Sequence, residues 1–211
     1  APTANRPLNP SPRQPGDMAR VPYLDGEDVP EAYGAVFDRN RAGATNLYGA
    51  LANNPPLLDA FVDFARTCWD ECGLDEPERE LVVLTVARQT HADYEWHQHV
   101  PLALDAGLPE ADVRAVREGR YGDLGSRREA LTSYAAAVAT ASVDDALHRA
   151  LVERVDDRTV VGVTLLAAVY TGLARFLDAL AVGPEESFVG WGLDGLDDGD
   201  GTELSREDLL E

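Results

Sequence analysis

Apolar residues along this chain recur at spacings of three and four, the period of a helix that buries one side. After Asn54-Pro55-Pro56, the series Leu57, Leu58, Phe61, Phe64, Ala65, Cys68 predicts an amphipathic helix that Gly73 closes. Asp75 has the character of an N-cap. Pro77 falls in the first turn behind it, Glu76 and Glu78 suit the positive end of the helix dipole, and Leu81, Val82, Val83, Leu84 and Val86 carry the helix to Thr90. Residues 92–106 continue in helical spacing, with a bend or restart expected near Pro101, whose ring clashes with the carbonyl of His97. Further helices are expected over 30–38, 109–117, 127–141, 144–155 and 157–182, the last being the longest and most buried. Hairpin turns between alternating runs, a glycine-rich phosphate loop and a repeat of fixed period are all missing, so the pattern predicts an all-α fold.

Length and composition place this pattern in one domain. The chain has 211 residues, 45% of them hydrophobic, enough for one stable core without disulfides. Residues 1–17, rich in Pro, Asn and Arg, read as a flexible extension without a signal peptide's apolar stretch; the folded part is expected over 18–191, followed by an acidic tail, 192–211. The longest uncharged run, residues 159–174, is too short to cross a bilayer and is expected to be a core helix.

Charge narrows the choice of partners. Against 38 acidic residues stand 18 basic ones, every one of them Arg, for a net charge of -20. Such a surface repels phosphate backbones and anionic lipids, which argues against nucleic acid and membranes. Its self-repulsion is screened at molar salt, so a cytoplasmic protein of a salt-rich, halophilic cell is expected. An acidic mesophilic protein from a GC-rich genome would also lack Lys, but explains the excess of Asp less well. Cys68 and Cys72, the only cysteines, stand four apart on one helix face, where a disulfide is strained; reduced core thiols are expected.

Candidate chemistry gathers in one segment. Three of the four histidines, His91, His97 and His99, fall in the string His91-Ala-Asp-Tyr-Glu-Trp-His-Gln-His99. Were residues 80–99 one continuous helix, Glu80, Arg88, His91, Glu95 and His99 would form a single polar stripe, with His97 pointing the opposite way. The stripe combines groups that titrate near neutrality with an Arg able to grip a carboxylate, a workable acid-base site for an anionic substrate. The same stripe could be the wet face of an amphipathic helix, its ion pairs worth little. Ligation of a metal by His91, Glu95 and His99 is a further reading, without the zinc-helix pattern of Glu directly after the first His.

The run Glu80-Leu-Val-Val-Leu-Thr-Val-Ala-Arg88, followed by Ala92-Asp-Tyr-Glu-Trp-His-Gln-His99-Val-Pro-Leu-Ala, resembles the carboxymuconolactone decarboxylase family, part of the alkylhydroperoxidase-D-like superfamily. Weaker similarity extends over residues 18–191 and includes Asp144-Asp-Ala-Leu-His148 and Asp156-Asp-Arg-Thr-Val-Val-Gly. The resemblance implies an all-helical domain, a homo-oligomer of three or six subunits, and no cofactor. In the peroxidase branch a Glu precedes a Cys-x-x-Cys pair and a His; on this chain the Glu falls on Glu80, the cysteines on Ala92 and Glu95, and the His on His99. Without the thiols, disulfide-cycling peroxidase chemistry is not expected. The implied function is that of a cofactor-free lyase acting on a small carboxylated lactone. Glu80, Glu95 and His99 would be catalytic, with His99 the general acid, Arg88 orienting the substrate carboxylate and Tyr94 and His97 auxiliary. A non-catalytic oligomeric binding or scaffold protein is the first alternative, and residual thiol peroxidase chemistry through Cys68 and Cys72 the second.

Overall fold

A computed structural model describes residues 19–39, 45–185 and 189–193. The described chain forms helices α1 (Glu31–Arg39), α2 (Asn46–Leu51), α3 (Pro55–Glu71), α4 (Glu76–Thr90), α5 (Asp93–Asp105), α6 (Glu110–Glu118), α7 (Ser126–Ala139), α8 (Asp145–Val152) and α9 (Asp157–Leu180), with a short 3-10 helix over Tyr121–Leu124. Among the described residues there is no strand, as an all-α fold requires.

Helix α4 is the hub. Leu81 to Ala87 are all buried, because α5, α6, α7 and α9 pack around it. A helix apolar on every side belongs inside, and here the run Leu-Val-Val-Leu-Thr-Val-Ala leaves no polar face to solvate. Its only hydroxyl there, on Thr85, donates to the Leu81 carbonyl at 2.7 Å. The Asp75 side chain accepts from Glu78 N–H at 2.9 Å, as a cap should. On one side of α4, Trp96, Val100 and Ala103 of α5 meet Val113 and Val116 of α6. On the other, Leu131 and Ala135 of α7 meet Val163, Leu166 and Ala167 of α9.

Three sequence expectations change here. Asn46–Leu51 and the 3-10 turn were not anticipated; both are shorter than two helical turns and leave too few positions for periodicity to register. Helix α3 buries Leu58, Val62 and Cys68 but leaves Leu57 and Phe64 exposed, so its apolar series is wider than its packed face. Helix α9 is not the most buried element: Val161 is 66% and Leu165 is 42% exposed. It is long and apolar enough by composition to cross a membrane, yet its Val163, Leu166, Ala167, Leu173 and Leu177 face the interior of the fold.

The chain reaches α9 through a close crossing. A Cβ built on Gly162 would lie 2.2 Å from the Cys72 carbonyl oxygen and 2.5 Å from its Cα, so only glycine lets α9 pass the end of α3. The segment after α9 returns to the core. Trp191 stacks on Trp96 with ring centres 4.7 Å apart and donates to Asp93 Oδ1 at 2.9 Å, while Trp96 donates to the Gly190 carbonyl at 3.2 Å. Leu193 is buried in the same cluster. The expected extension, 1–17, and residues 194–211 of the expected tail lie outside the described residues.

Candidate functional site

His91 ends α4. Its φ of 53° and ψ of 41° are left-handed, and the Ala92 N–H turns back to the Ala87 carbonyl at 2.9 Å, satisfying a carbonyl the helix would otherwise leave open. The chain restarts as α5 at Asp93 and runs through Pro101 without ending there. The break therefore lies ten residues before the position that proline chemistry suggested, and residues 80–99 are not one helix.

This corrects the polar stripe. In a straight helix, Glu80 and His99 would stand ~28 Å apart, at 1.5 Å per residue over nineteen residues. Folded about His91, the two helices bring Glu80 Oε2 to 2.7 Å from His99 Nδ1. Glu95, one turn before His99 on α5, places Oε2 3.5 Å from His99 Nε2. Glu80, Glu95 and His99 are thus together, all buried. His91 sits in the turn, which removes it from the stripe and from the proposed metal set of His91, Glu95 and His99. Among the described residues no group of three or more His, Cys, Asp and Glu is arranged to hold a metal ion.

Burial and mutual charge set the protonation of this trio. Burial pushes the Glu95 carboxyl up to about 7; His99 opposes that rise and the Glu80 charge adds to it. Burial alone would lower the His99 pKa, but the charge and hydrogen bond of Glu80, helped by Glu95, raise it above its usual value. Near neutrality the Glu95 carboxyl is therefore poised between its two forms, beside an imidazole whose protonated form Glu80 favours. At 3.5 Å the Nε2 contact is too long for a good hydrogen bond, and Glu95 Oε1 is buried with no hydrogen-bond partner.

Aromatic rings border the imidazole. Trp69 of α3 lies 5.9 Å from it at a 40° tilt, and Tyr170 of α9 meets it edge-on at 5.2 Å. Burial raises the Tyr170 hydroxyl well above its ordinary pKa, with Glu95 and Glu80 adding to the shift. Tyr48 of α2 is raised by burial and by Glu95. Both phenols stay neutral and able to donate a hydrogen bond. The sequence reading missed Trp69, Tyr170 and Tyr48, because they come from three helices distant from the histidine string.

The other expected residues go elsewhere. Arg88, assigned to a substrate carboxylate, instead donates through Nε to the Arg117 carbonyl at 2.8 Å and packs against Gly119, where a Cβ would meet its Nη2 at 2.7 Å. Tyr94 donates to Glu185 Oε1 at 2.7 Å and accepts from Leu47 N–H at 3.3 Å. His97 Nδ1 accepts from Val189 N–H at 3.1 Å. Tyr94 and His97 bind the segment after α9, a structural task that accounts for their place on the side of α5 away from His99. Cys68 and Cys72 are both free and buried, and Cys72 Sγ lies 3.3 Å from the Trp69 carbonyl. Burial and the neighbouring thiol raise the Cys68 pKa, the opposite of what a reactive thiolate needs.

Two comparisons place this geometry among known proteins. The model of the carboxymuconolactone decarboxylase family matches residues 55–141, the stretch from α3 to just past α7 that contains Glu80, Glu95 and His99. The fold is similar to a crystal structure described as the alkylhydroperoxidase AhpD core, an uncharacterized peroxidase-related protein from Ralstonia eutropha JMP134. The TM-score is 0.67 at 19% identity, covering 79% of this chain and 92% of that one. No curated protein matches the chain.

Proposed function

Because the model of the carboxymuconolactone decarboxylase family matches residues 55–141, we propose that the chain is a cofactor-free lyase that removes carbon dioxide from a small carboxylated lactone or related acid. The observation that carries this reading is the buried trio with two uncommitted positions, His99 Nε2 and Glu95 Oε1. In the proposed step the bond between ring carbon and carboxylate breaks, and its electron pair moves into the conjugated lactone carbonyl, giving a dienolate and carbon dioxide. His99, oriented by Glu80 through Nδ1, delivers its Nε2 proton to the ring carbon. Glu95, with a pKa near the working pH, restores the imidazole proton, which water ultimately supplies. The net reaction consumes one proton and needs no oxidant.

The missing cysteine pair supports this reading over peroxide reduction, since Ala92 and Glu95 occupy the places of the thiols and neither can attack a peroxide. In molar salt the protein should convert carboxymuconolactone with release of carbon dioxide. His99→Ala should lower turnover at least about a hundredfold, the scale of a lost general acid. An unchanged rate would remove His99 from the mechanism. A non-catalytic scaffold is the competing reading, and turnover of any member of a panel of lactone acids and hydroperoxides excludes it.

The proposed working form is a trimer-based homo-oligomer in a salt-rich cytoplasm. Val161, Leu165, Ala168 and Gly172 are exposed on α9 at spacings of four, three and four, the seam against which a second helix packs. A net charge of -20 opposes association unless salt screens it. Light scattering should therefore give an oligomer at molar salt that loosens as salt is removed; a monomer of 22.8 kDa at molar salt would overturn this assembly.

A further inference from the structure

With Arg88 engaged on the Arg117 carbonyl, the trio has no cation in the place where a substrate carboxylate was expected to dock. A different arginine reaches the rings of the site. Arg79, on α4 immediately before Glu80, carries its guanidinium carbon 5.0 Å from the centre of the Trp69 ring. That same indole contacts His99, and it lies 6.4 Å from Tyr170, so guanidinium, indole, imidazole and phenol form one contiguous group.

Neither helix stability nor ion pairing accounts for Arg79. It lies at the start of α4, near the positive end of the helix, where a cation gains nothing from the dipole. Six other arginines, 114, 120, 127, 128, 154 and 158, pair with carboxylates. Arg79 has no such pair among the described residues, although Glu76, Glu78 and Glu80 surround it in sequence; Glu78 goes to Arg127 instead. Among the described residues its one side-chain hydrogen bond, from Nη1 to the Trp69 carbonyl, is long at 3.5 Å, and its Nε is buried without a partner. Leaving such a donor unpaired is unfavourable, and the unpaired edge of a guanidinium is the one that matches a carboxylate with two parallel bonds. Glu95 Oε1 is likewise unpaired. A cationic donor and a carboxyl oxygen, both uncommitted, border the same set of rings.

We propose that Arg79, held over the Trp69 ring, is the carboxylate receptor of this site, so that its ligand is a small organic anion lying against Trp69 and Tyr170 with its reacting carbon toward Glu95 and His99. The reacting end of this arrangement rests on the lyase reading above; the binding end does not. Contact with the indole and the bond to the Trp69 carbonyl restrict the Arg79 side chain before the ligand arrives, which makes bidentate binding less costly in lost side-chain freedom.

The test uses the full chain at molar potassium chloride, with 5-oxotetrahydrofuran-2-carboxylate and its methyl ester as probes in calorimetric titrations. The acid should bind the parent at least about tenfold more tightly than the ester, the scale of a charge-assisted pair. Arg79→Gln should lose that preference, Arg79→Lys should keep only part of it, and Arg88→Gln should retain it in full. Equal binding of acid and ester by the parent, binding of neither, or an undiminished preference in Arg79→Gln would overturn the proposal. Should Arg79→Gln fail to fold, Arg79→Lys decides, because a preference equal to the parent's would exclude a bidentate role. Carbon dioxide release from carboxymuconolactone, measured on the same preparations, separates this proposal from the lyase reading. Probe binding through Arg79 without any release sinks the lyase and leaves the receptor, whereas release with an unchanged KM in Arg79→Gln sinks the receptor and leaves the lyase.

Discussion

Replacing Glu95 by Gln should change how stability depends on pH. In the folded chain Glu95 keeps its proton up to about pH 7, whereas an unperturbed glutamate releases it near 4.5. Between these values the folded state holds a proton that the unfolded state has lost, so this carboxyl favours folding fully below about pH 4.5 and ceases to do so above about pH 7. A shift of that size is worth on the order of 3 kcal/mol at 1.36 kcal/mol per unit, an upper figure because His99 titrates with it. The raised pKa of His99 acts in the same direction, its contribution being lost as pH rises from 6.5 through the raised value. Glu95→Gln removes the carboxyl contribution and weakens that of His99. The stability of the parent minus that of the variant should therefore fall steadily from pH 5 to pH 8. Urea unfolding at fixed molar salt across that range measures the difference, and parallel curves for parent and variant would refute the assignment of a neutral-pH proton to Glu95.

Two further predictions concern the frame that holds the site. Gly162→Ala forces a Cβ into the Cys72 backbone at 2.2 Å, and with backbone on both sides it should cost at least about 3 kcal/mol in chemical unfolding; a loss below about 1 kcal/mol would mean that α3 and α9 separate easily. Trp191→Ala removes the Trp96 stack and the bond to Asp93, so it should cost about 3–5 kcal/mol and shift the tryptophan emission to the red, whereas an unchanged spectrum would place the segment after α9 off the core in solution.

Much of the helical order is legible in local chemistry. Asp75, Asp144 and Asp156 each accept a backbone N–H at the start of a helix, and such caps can be read from the residue type and the apolar run that follows. Gly73 and Gly107 take positive φ where sequence placed helix ends. The turn at His91 gives no such sign. Left-handed backbone is uncommon for histidine, and neither glycine nor asparagine marks the spot, so the string from Glu80 to His99 reads as unbroken helix. Pro101 gives the contrary signal and is overridden, since α5 carries it as a buried residue within the helix.

The same turn explains why the histidine string revealed the neighbourhood of the site but not its geometry. Helical periodicity brings Glu95 and His99 together because they are four apart, a relation that any single helix preserves. It says nothing of Glu80, whose contact with His99 depends on two helices folding back on one another. Resemblance to a family supplied that pairing of residues, and the turn supplies its cause. Residues that local reasoning placed by charge alone fared differently. Arg88 has the charge a substrate carboxylate would need, but it lies on the part of α4 that faces α6, where Arg117 claims it. Arg79 lies nine residues earlier and drew no attention, because its significance depends on Trp69, brought alongside by α3. A half-buried cation is worth reading as a binding group only when its partners are known. Those partners are a property of packing, which is why the carboxylate-binding end of this site had to come from the structure.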